Sequence, residues 1–591
     1  MMKLDEILVT RNWVGKPIRR KEDTRLVKGE AAYVDDLNMD CYQAAILRSP
    51  YAHARIKGID LTKAQALQGV VAVLTGQEVA RQTKPISARA ITRPATQYVM
   101  AADKVRYVGE PVAAVVAEDR YIAEDALDLI EVEYEPLPPV VTLEDALKPD
   151  APLVFEEAGS NVLMHDNMQH GDIEQAYREA DLVLKESFKV HRYSSTPLEP
   201  WAIIANYERA SDSFVVWSND QQHGRSLTNV CNTLGIPIHK LRLIVPDIGG
   251  GFGIKLALWP YIVILSLLAK KASKPVKWIQ TRREHLLAGT HAPDANVEIE
   301  LALKKDGRIL GLSIKDIQNG GSFVHTAGIY GLIKFATMVG CYTIKATKAE
   351  LLSVVTNKAP TVQNRGVGKP TMIFVLERMV DIAAKKLGLD PVEIRLRNFV
   401  QPGQMPYTTP SGEIYESGDY PQCLKKALDL IGYEELKEKV AKGEGAVSPE
   451  KHRIAWLYVL PLFDLKIADW LEETLGAVIA VDSFGYATTG IELDPEDPLG
   501  FLVKKPLKRG FVCKGYAANE DLHFVEELTR VTEEYHADVA ILLSHWSCQQ
   551  YCGVIRLLRD AIGGKLGLPF YILNGDLMDP RVASSEQMKA G

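Results

Sequence analysis

The chain has 591 residues, which at roughly 150 residues per domain is enough for about four compact units. Hydrophobic residues make up 47% of the sequence and charged residues 25%, an ordinary globular composition that excludes collagen-like and disordered classes. With 69 Lys and Arg against 76 Asp and Glu, the net charge of −7 gives no electrostatic basis for nucleic-acid binding, so small molecules are the expected ligands.

Cysteine usage and hydropathy indicate the compartment. The seven cysteines are an odd, scattered set, which argues against a disulfide framework and favours a reducing environment. The segment Met1 to Arg20 has no apolar signal core. The most apolar run, Leu256 to Ala269, contains Pro260 and is too short to cross a bilayer, so we predict a buried helix there. These features predict a cytoplasmic protein without a membrane span.

The first 150 residues alternate short β-like runs with turns and one helical stretch, which predicts an α+β domain with antiparallel strands. Proline-rich segments at 135–139 and 149–152 place the end of this domain near residue 150. The predicted elements are the strands Ala45–Arg48, Val70–Leu74 and Val112–Val116 and the helix Arg120–Ile130.

A second region, of the α/β class, is predicted from residue 151 to residue 436. Its distinctive feature is a glycine loop, Gly249 to Gly253, directly between a predicted strand and the apolar helix. A later helix has apolar residues at helical spacing and ends at Asp390-Pro391. The predicted elements are the strands Asp181–Val190, Ala202–Tyr207, Phe214–Trp217 and Lys240–Val245 and the helices Gly224–Leu234 and Thr371–Leu387.

The composition changes near residue 440. Residues 437–451 are charged with few apolar side chains, which predicts a linker. From 452 to 591, continuous apolar strands alternate with helices, the pattern of a doubly wound α/β domain with a parallel sheet. The predicted strands are Ile454–Leu460, Ala477–Val481, Val539–Leu543 and Leu568–Leu573, and the predicted helices are Leu465–Leu475, Leu522–Tyr535 and Gly553–Ile562.

The glycine loop within Pro246 to Lys255 permits three interpretations. It is a tight turn that needs positive φ, a dinucleotide-binding fingerprint, or a cradle for another anionic cofactor at the amino end of a helix. The dinucleotide pattern fails at its third glycine, where Ile254 stands. The loop by itself leaves the turn and the cradle open.

A series of motifs, in order along the chain, resembles the xanthine dehydrogenase/aldehyde oxidase family from residue 17 to about residue 435. Residues 1–150 resemble the hammerhead domain of that family, and residues 151–436 resemble its first molybdopterin-binding domain. The motifs are Glu22–Gly29, Tyr33–Asp36, Arg48–Ile56, Val108–Ala117, Leu198–Pro200, Pro246–Lys255, Arg282–His285, Thr356–Pro360 and Phe374–Asn398.

The resemblance implies a molybdopterin-dependent oxidoreductase subunit that hydroxylates an aldehyde or N-heterocycle with water-derived oxygen. It also implies a small-molecule substrate and companion iron–sulfur and flavin subunits, because the chain shows neither module of its own. Two loops, near residues 250 and 366, are expected to converge on the cofactor. The positions that match the cofactor-binding motifs of the family are Gln221, Gly250, Gly251, Phe252, Gly253, Arg365, Gly366 and Gly368.

The sequence departs from the family in three respects. Ile254 replaces a usual glycine, which predicts an added side chain beside the cradle. The segment Val362 to Lys369 lacks the usual aromatic residue before its arginine. The family's general-base glutamate lies in a second molybdenum-binding half, beyond the end of the resemblance, so no catalytic residue is assigned. Glu199 resembles a family carboxylate, and we predict a structural capping role for it.

Residues 452–591 resemble the last third of a 2-hydroxyacyl-CoA dehydratase/benzoyl-CoA reductase subunit. Cys548 follows a buried strand and enters a helix at its amino end, a position that lowers the pKa of a thiol. In the resembled family this cysteine binds a [4Fe-4S] cluster, so Cys548 is the candidate metal ligand, with a cluster either shared with a partner or absent. A buried structural cysteine is the alternative. The matching segments are His545–Gly553, Leu568–Asp576, Asp579–Arg581 and Ser585–Gln587.

Three functions therefore compete. The first is a molybdenum-hydroxylase-type oxidoreductase subunit that lacks the second molybdenum-binding half. The second is a 2-hydroxyacyl-CoA dehydratase-like iron–sulfur lyase fragment. The third is an inactive fusion or truncated protein. A genuine fusion, a degraded gene and a misassembled reading frame would each place these two segments in this order. The length of the first resemblance favours the oxidoreductase.

Overall fold

The structure is a computed structural model that describes residues 17–444, 447, 449–457, 466–482, 523–545 and 555–575. The chain divides into two compact units, Met1–Cys423 and Leu424–Gly591. Within the described ranges, no helix combines the length and the apolarity that a membrane span requires.

A seven-stranded mixed sheet joins the two amino-terminal regions of the first unit. Tyr42–Arg48 pairs in parallel with Val276–Ile279, so the predicted hammerhead segment and the region that follows it share one sheet. The remaining pairs are antiparallel except that of the two strands at one edge. From edge to edge the strands are Leu241–Ile244, Ser213–Ser218, Ala202–Glu208, Val276–Ile279, Tyr42–Arg48, Pro111–Ala117 and Val70–Thr75.

The apolar helix Trp259–Ala272 packs on this sheet and forms the centre of the largest hydrophobic core. Eleven of its 14 residues are buried, which confirms the predicted buried helix. Sheet residues such as Ile203 and Val216 belong to the same buried cluster. The helix begins later than the apolar run does, because Ile254–Ala257 first forms a 3-10 turn.

The first unit also contains a five-stranded sheet. Of its strands only Leu182–Val190 was predicted from the sequence. The long helix Lys369–Leu387 contacts this strand and its neighbour Ala295–Leu303. In order across the sheet the strands are Val162–His170, Ala346–Val355, Ile309–Gly321, Ala295–Leu303 and Leu182–Val190.

Smaller elements complete the first unit. A three-stranded sheet consists of Lys104–Val105, Ala54–Asp60 and Glu131–Pro136, and a two-stranded ribbon consists of Tyr407–Thr408 and Ile414–Tyr415. The other α-helices are Asp23–Val27, Thr62–Ala66, Gly76–Gln82, Arg120–Asp128, Leu143–Ala146, Ile173–Glu179, His223–Leu234, Arg282–Ala288, Ile329–Ala336, Pro391–Asn398 and Tyr420–Ile431. Further 3-10 helices are Glu156–Ala158, Ile238–Lys240 and Pro402–Gln404.

The second unit contains a four-stranded parallel sheet, which confirms the α/β class predicted for the carboxyl-terminal segment. The helix Tyr433–Ala441 extends into the predicted linker, so residues 437–441 are helical and not part of a linker. Across the sheet the strands are Ala477–Asp482, His452–Leu457, Val539–His545 and Phe570–Gly575. The helices are Tyr433–Ala441, Lys466–Trp470 and His523–Glu534, with π-helical segments at Leu471–Leu475 and Asp560–Lys565.

Candidate functional site

The glycine loop leaves the strand Leu241–Ile244 and leads into the buried helix through the 3-10 turn. Its backbone is left-handed at Gly250 (φ 91°), Phe252 (φ 53°) and Gly253 (φ 101°). A bulky residue such as Phe252 adopts this region at a cost of about 1–2 kcal/mol. Backbone strain of this kind concentrates at ligand-binding and catalytic sites. The loop conformation is therefore a structural sign of function.

Gln221 lies directly against the glycine loop. Its Oε1 accepts hydrogen bonds from the backbone N–H groups of Gly253 at 2.8 Å and Lys255 at 3.2 Å. A β-carbon on Gly251 would lie 2.3 Å from Gln221 Cδ, so only glycine permits this approach. The Gln221 Nε2 donates to no acceptor among the residues that the structure describes, which leaves it available to a ligand.

A buried ion pair supports the same loop. Glu199 Oε2 accepts from the backbone N–H of Gly249 and from Lys255 Nζ, each at 2.7 Å. The Lys255 side chain is fully buried, and burial lowers its pKa. The backbone N–H of Glu199 donates in turn to the carbonyl of Gly249 at 3.2 Å. These contacts tie Glu199 and Lys255 to the backbone of the glycine loop.

The loop that contains Arg365 has the same backbone character. Gly366 (φ 97°) and Gly368 (φ 78°) are left-handed, and so is Val367 between them (φ 46°). Positive φ is a genuine outlier for a β-branched residue. The side chain of Asn364 fixes the start of the loop, because its Oδ1 accepts from the Arg365 backbone N–H at 2.8 Å. Arg365 itself is exposed.

The two loops meet at Gly253. A β-carbon on Gly253 would lie 2.5 Å from the carbonyl oxygen of Gln363. Neighbouring residues tie both loops to one segment: Thr290 Oγ1 donates to the carbonyl of Ile254 at 3.0 Å, and His291 forms a β-bridge with Thr361. The structure thus brings the two predicted glycine loops into contact.

Several backbone N–H groups of these loops are free. The amides of Gly250, Gly251, Phe252, Gly366 and Gly368 donate to no acceptor in the described part of the chain. Unpaired N–H groups on left-handed backbone form concavities that bind anions. Two adjoining loops therefore offer free donors beside the glutamine amide. This donor set fits an anionic cofactor with many acceptor atoms.

Asp220, the residue before Gln221, has a buried carboxyl group. Asp220 accepts from Ser226 Oγ at 2.7 Å and from the backbone N–H of Gln222 at 2.6 Å. Burial raises the pKa of Asp220 to about 6. Sequence reasoning missed this group, because a carboxylate in a loop is ordinarily exposed and no motif marked it.

An ion pair distant in sequence fixes the entry to the glycine loop. Arg25 Nη1 and Nη2 bond both carboxylate oxygens of Asp247, at 2.6 and 2.7 Å. The backbone N–H of Ala32 donates to the same carboxylate at 3.0 Å. The hydrogen bonds from Arg25 lower the pKa of Asp247 to about 2. The segment around residues 25–32 therefore helps to hold the entry of the glycine loop in place.

One sequence-based expectation at the site is wrong. Ile254 does not add a side chain beside the cradle, because it is fully buried in the main hydrophobic core. Cys548, the candidate iron–sulfur ligand, lies outside the described residues. In the ranges that are described, no group of three or more His, Cys, Asp or Glu side chains has a metal-binding arrangement.

Comparison with known proteins identifies the first unit. Residues 28–138 match the aldehyde oxidase and xanthine dehydrogenase a/b hammerhead domain, and residues 154–399 match the molybdopterin cofactor-binding domain. Residues 28–399 belong to the aldehyde oxidase and xanthine dehydrogenase family. The carbon monoxide dehydrogenase large chain of Afipia carboxidovorans is 36% identical over 459 residues, 74% of this chain and 56% of the relative.

Other family members show how far the match extends. Quinoline 2-oxidoreductase from Pseudomonas putida 86 superposes with a TM-score of 0.68 and 35% identity, covering 73% of this chain and 55% of that one. The chain thus spans little more than half the length of the first curated relatives it matches. The nicotinate dehydrogenase large molybdopterin subunit of Eubacterium barkeri, 29% identical, is matched over 98% of its length and 72% of this chain.

The carboxyl-terminal segment matches a second family. Residues 421–590 match the 2-hydroxyglutaryl-CoA dehydratase D-component. The predicted resemblance of this segment to 2-hydroxyacyl-CoA dehydratases is therefore confirmed. The match begins at residue 421, whereas the sequence motifs placed the start of the resemblance at residue 452.

Proposed function

We propose that this family member is the cofactor-binding part of a molybdenum hydroxylase. It holds molybdopterin between the glycine loop and the loop of Arg365, and it acts with a companion chain that completes the active site. The substrate is an aldehyde or an N-heterocycle, hydroxylated with oxygen from water. The free N–H groups of two adjoining, strained loops are the observation that carries this proposal.

The residues of the chain have distinct roles in this proposal. The bound cofactor supplies the redox-active metal that accepts the electrons of the hydroxylation. Gly250 and Gly251 donate backbone hydrogen bonds to its acceptor atoms, and Gln221 donates a further one from Nε2. The exposed ring of Phe252 forms an apolar wall beside the same space. Arg365 adds a positive charge that favours an anionic ligand.

The proposal includes companion chains. The chain spans 56% of its carbon monoxide dehydrogenase relative, and no general base is assigned within it. In this proposal a separate polypeptide supplies the second molybdenum-binding half with that base. The Eubacterium barkeri subunit, matched over 98% of its length, supports such a division. In this proposal iron–sulfur and flavin subunits carry the electrons onward. One relative is named as subunit gamma of a dehydrogenase complex, which supports an assembly of several subunits.

Metal and pterin analysis tests the proposal. The full chain is purified with its partners from the cell that encodes it, and molybdenum is measured by mass spectrometry while the pterin is measured by fluorescence after oxidative release. Equimolar molybdenum and pterin are expected. A folded chain that carries neither, from cells in which other molybdopterin enzymes are loaded, contradicts the proposal.

The carboxyl-terminal unit supports a second candidate function. Its match to the dehydratase D-component and its parallel sheet favour an iron–sulfur lyase fragment acting on a 2-hydroxyacyl-CoA. The same preparation distinguishes the candidates. Iron and acid-labile sulfide without molybdenum support the lyase, molybdenum and pterin support the hydroxylase, and the absence of all four supports a protein without either activity.

A further inference from the structure

The hammerhead domain and the 3-10 helix that follows it enclose a cavity of about 580 Å³, which we call the hammerhead cavity. Its walls come from the strand Ala54–Asp60, from residues 96–110 and from the 3-10 helix Glu156–Ala158. No residue of the glycine loop or of the loop of Arg365 lines it. A cavity of this volume is large enough for a small organic molecule. It is therefore a candidate binding site apart from the cofactor cradle.

The wall of the hammerhead cavity contains a buried cation without a counter-ion. Arg106 is only 9% exposed and forms no ion pair among the described residues. Its Nη1 donates to the carbonyl of Lys104 at 3.0 Å, whereas its buried Nε has no acceptor in the described part of the chain. Nη2 likewise donates to none of the residues that the structure describes. Nε and Nη2 form the side-on edge of a guanidinium, which is the edge that binds both oxygens of a carboxylate.

The position of this guanidinium is fixed by its neighbours. Arg106 Cζ lies 4.9 Å from the centre of the Phe155 ring, which is itself buried. This stacking and the hydrogen bond from Nη1 hold the plane of the group. A buried donor without an acceptor costs about 1–3 kcal/mol, and a ligand that supplies the acceptor removes that cost. Arg106 is therefore pre-organised for an anion.

The charges that line the hammerhead cavity differ between its interior and its rim. Its buried charged groups are two cations, Lys104 and Arg106, and one carboxyl group, Glu110. Lys104 Nζ donates to the carboxylate of Glu156 at 2.5 Å, and that carboxylate is exposed. Solvent screens exposed charges much more than buried ones, so the interior attracts an anion. The exposed charged residues of the rim, which include both signs, are Arg55, Lys57, Asp103, Glu156 and Glu157.

The buried carboxyl group of Glu110 adds a second contact for such an anion. Its Oε2 accepts from the backbone N–H of Arg106 at 2.5 Å, and its Oε1 forms no hydrogen bond within the described residues. Burial raises the pKa of Glu110 to about 7. When protonated, Glu110 donates to a bound carboxylate, and when ionised it repels one. The charged and titratable groups that act on Glu110 or face it are Asp103, Lys104, Arg106, Tyr107 and Tyr134.

We propose that the hammerhead cavity binds a small organic carboxylate, held at its oxygens by the Arg106 guanidinium and the Glu110 carboxyl group. A carboxylate suits this pair better than a phosphate group, whose second negative charge Glu110 would repel. The cavity shares no residue with the cradle, so this ligand is independent of the proposed function. The wall that receives the carbon skeleton is formed by Ile56, Tyr98, Met100, Ala101 and Ala102.

Isothermal titration calorimetry of the full chain at pH 6, with benzoate as the probe, tests the site. Benzoate is expected to bind one to one, and Arg106→Met is expected to weaken it by at least about tenfold. Arg365→Met, which removes the exposed cation of the cradle, is the matched control and should leave the affinity unchanged. Ala102→Phe fills the cavity from its wall without removing a charge, and it should also abolish binding. This variant keeps the test decisive if Arg106→Met does not fold.

The pH dependence of benzoate binding tests the role of Glu110. Between pH 6 and pH 8 the affinity of the wild type is expected to fall by about tenfold as Glu110 loses its proton. Glu110→Gln keeps an acceptor for the Arg106 backbone N–H and should remove this dependence. His53 titrates at lower pH, because burial lowers its pKa.

Four results would overturn the site. The first is the absence of benzoate binding at up to about 10 mM, and the second is a loss of affinity in Arg365→Met rather than in Arg106→Met. The third is equal affinity for benzamide, which has the same shape but no charge. The fourth is tighter binding of inorganic phosphate than of benzoate, which would exclude a carboxylate as the ligand.

Discussion

The α-carbon of Gly253 faces the carbonyl oxygen of Gln363 with no room for a side chain between them. A β-carbon on Gly253 would lie 2.5 Å from that oxygen, and its φ of 101° is a conformation that other residues rarely adopt. This contact holds together two loops that are far apart in the chain. Each loop carries free N–H donors, so the close approach at Gly253 contributes to the spacing of the donors.

Gly253→Ala is expected to separate the two loops and to lower molybdenum and pterin content by about tenfold or more, the effect of a loss of about 1.4 kcal/mol in binding. The matched control is Gly388→Ala, because Gly388 is also left-handed (φ 67°) but has open space around its α-carbon. Gly388→Ala introduces the strain of a positive φ but no steric clash with a neighbouring atom. Equal cofactor content in the two variants would show that the contact with Gln363 does not matter.

Gly251→Ala tests the contact with Gln221. The new methyl group would lie 2.3 Å from Gln221 Cδ, so the glutamine must move and lose its hydrogen bonds from Gly253 and Lys255. We expect cofactor content to fall by about tenfold while circular dichroism stays unchanged. Gly224→Ala is the control, since Gly224 has an unoccupied space for a β-carbon. Full cofactor content in Gly251→Ala would exclude Gln221 from the site.

The Glu199–Lys255 pair is expected to contribute stability only as a pair. Lys255→Met leaves a largely buried carboxylate without its cation and should lower the free energy of unfolding by about 3 kcal/mol. Glu199→Gln leaves the fully buried ammonium without its anion and should cost a similar amount. The double variant should be less destabilised than the sum of the two, by at least about 1 kcal/mol, in urea denaturation at pH 7. Strict additivity would mean that the two charges do not interact.

Local patterns predicted the elements of the site but not their contacts. The strand, glycine loop and apolar helix around Gly251 follow from local residue preferences and periodicity, and the structure contains them in that order. The alternation in Ala295–Leu303 was equally readable and was overlooked. By contrast, the contacts of Gly253 with Gln363 and of Arg25 with Asp247 join distant segments. Without an alignment, no local signal reports such pairs.

Side-chain burial was the other quantity that the sequence did not determine. Ile254 looked like an obstruction at the cradle because only its position in the loop was known, whereas the 3-10 turn directs it into the core. No motif singled out Asp220, although the fold removes it from water. In both cases the direction of one side chain depends on backbone geometry that a motif does not specify.

The burial of Asp220 predicts a particular pH dependence of stability. Its folded pKa of about 6 is higher than the ordinary value of 3.8, so the folded state retains the proton more strongly than the unfolded chain does. The stability that this proton confers is complete below about pH 4 and is lost as the pH rises through 6. Asp220→Asn removes the titration while keeping the shape of the side chain.

Thermal unfolding of the two proteins at pH 4 to 8 measures this effect. The stability of Asp220→Asn relative to the wild type should rise between pH 4 and 6 and then level off, by an amount on the order of 3 kcal/mol. Asp125→Asn, at an exposed helix position, should follow the wild type across the range. A difference that falls with rising pH would require a folded-state pKa below the ordinary value. In that case hydrogen bonds from Ser226 and Gln222 would outweigh the burial of the carboxyl group.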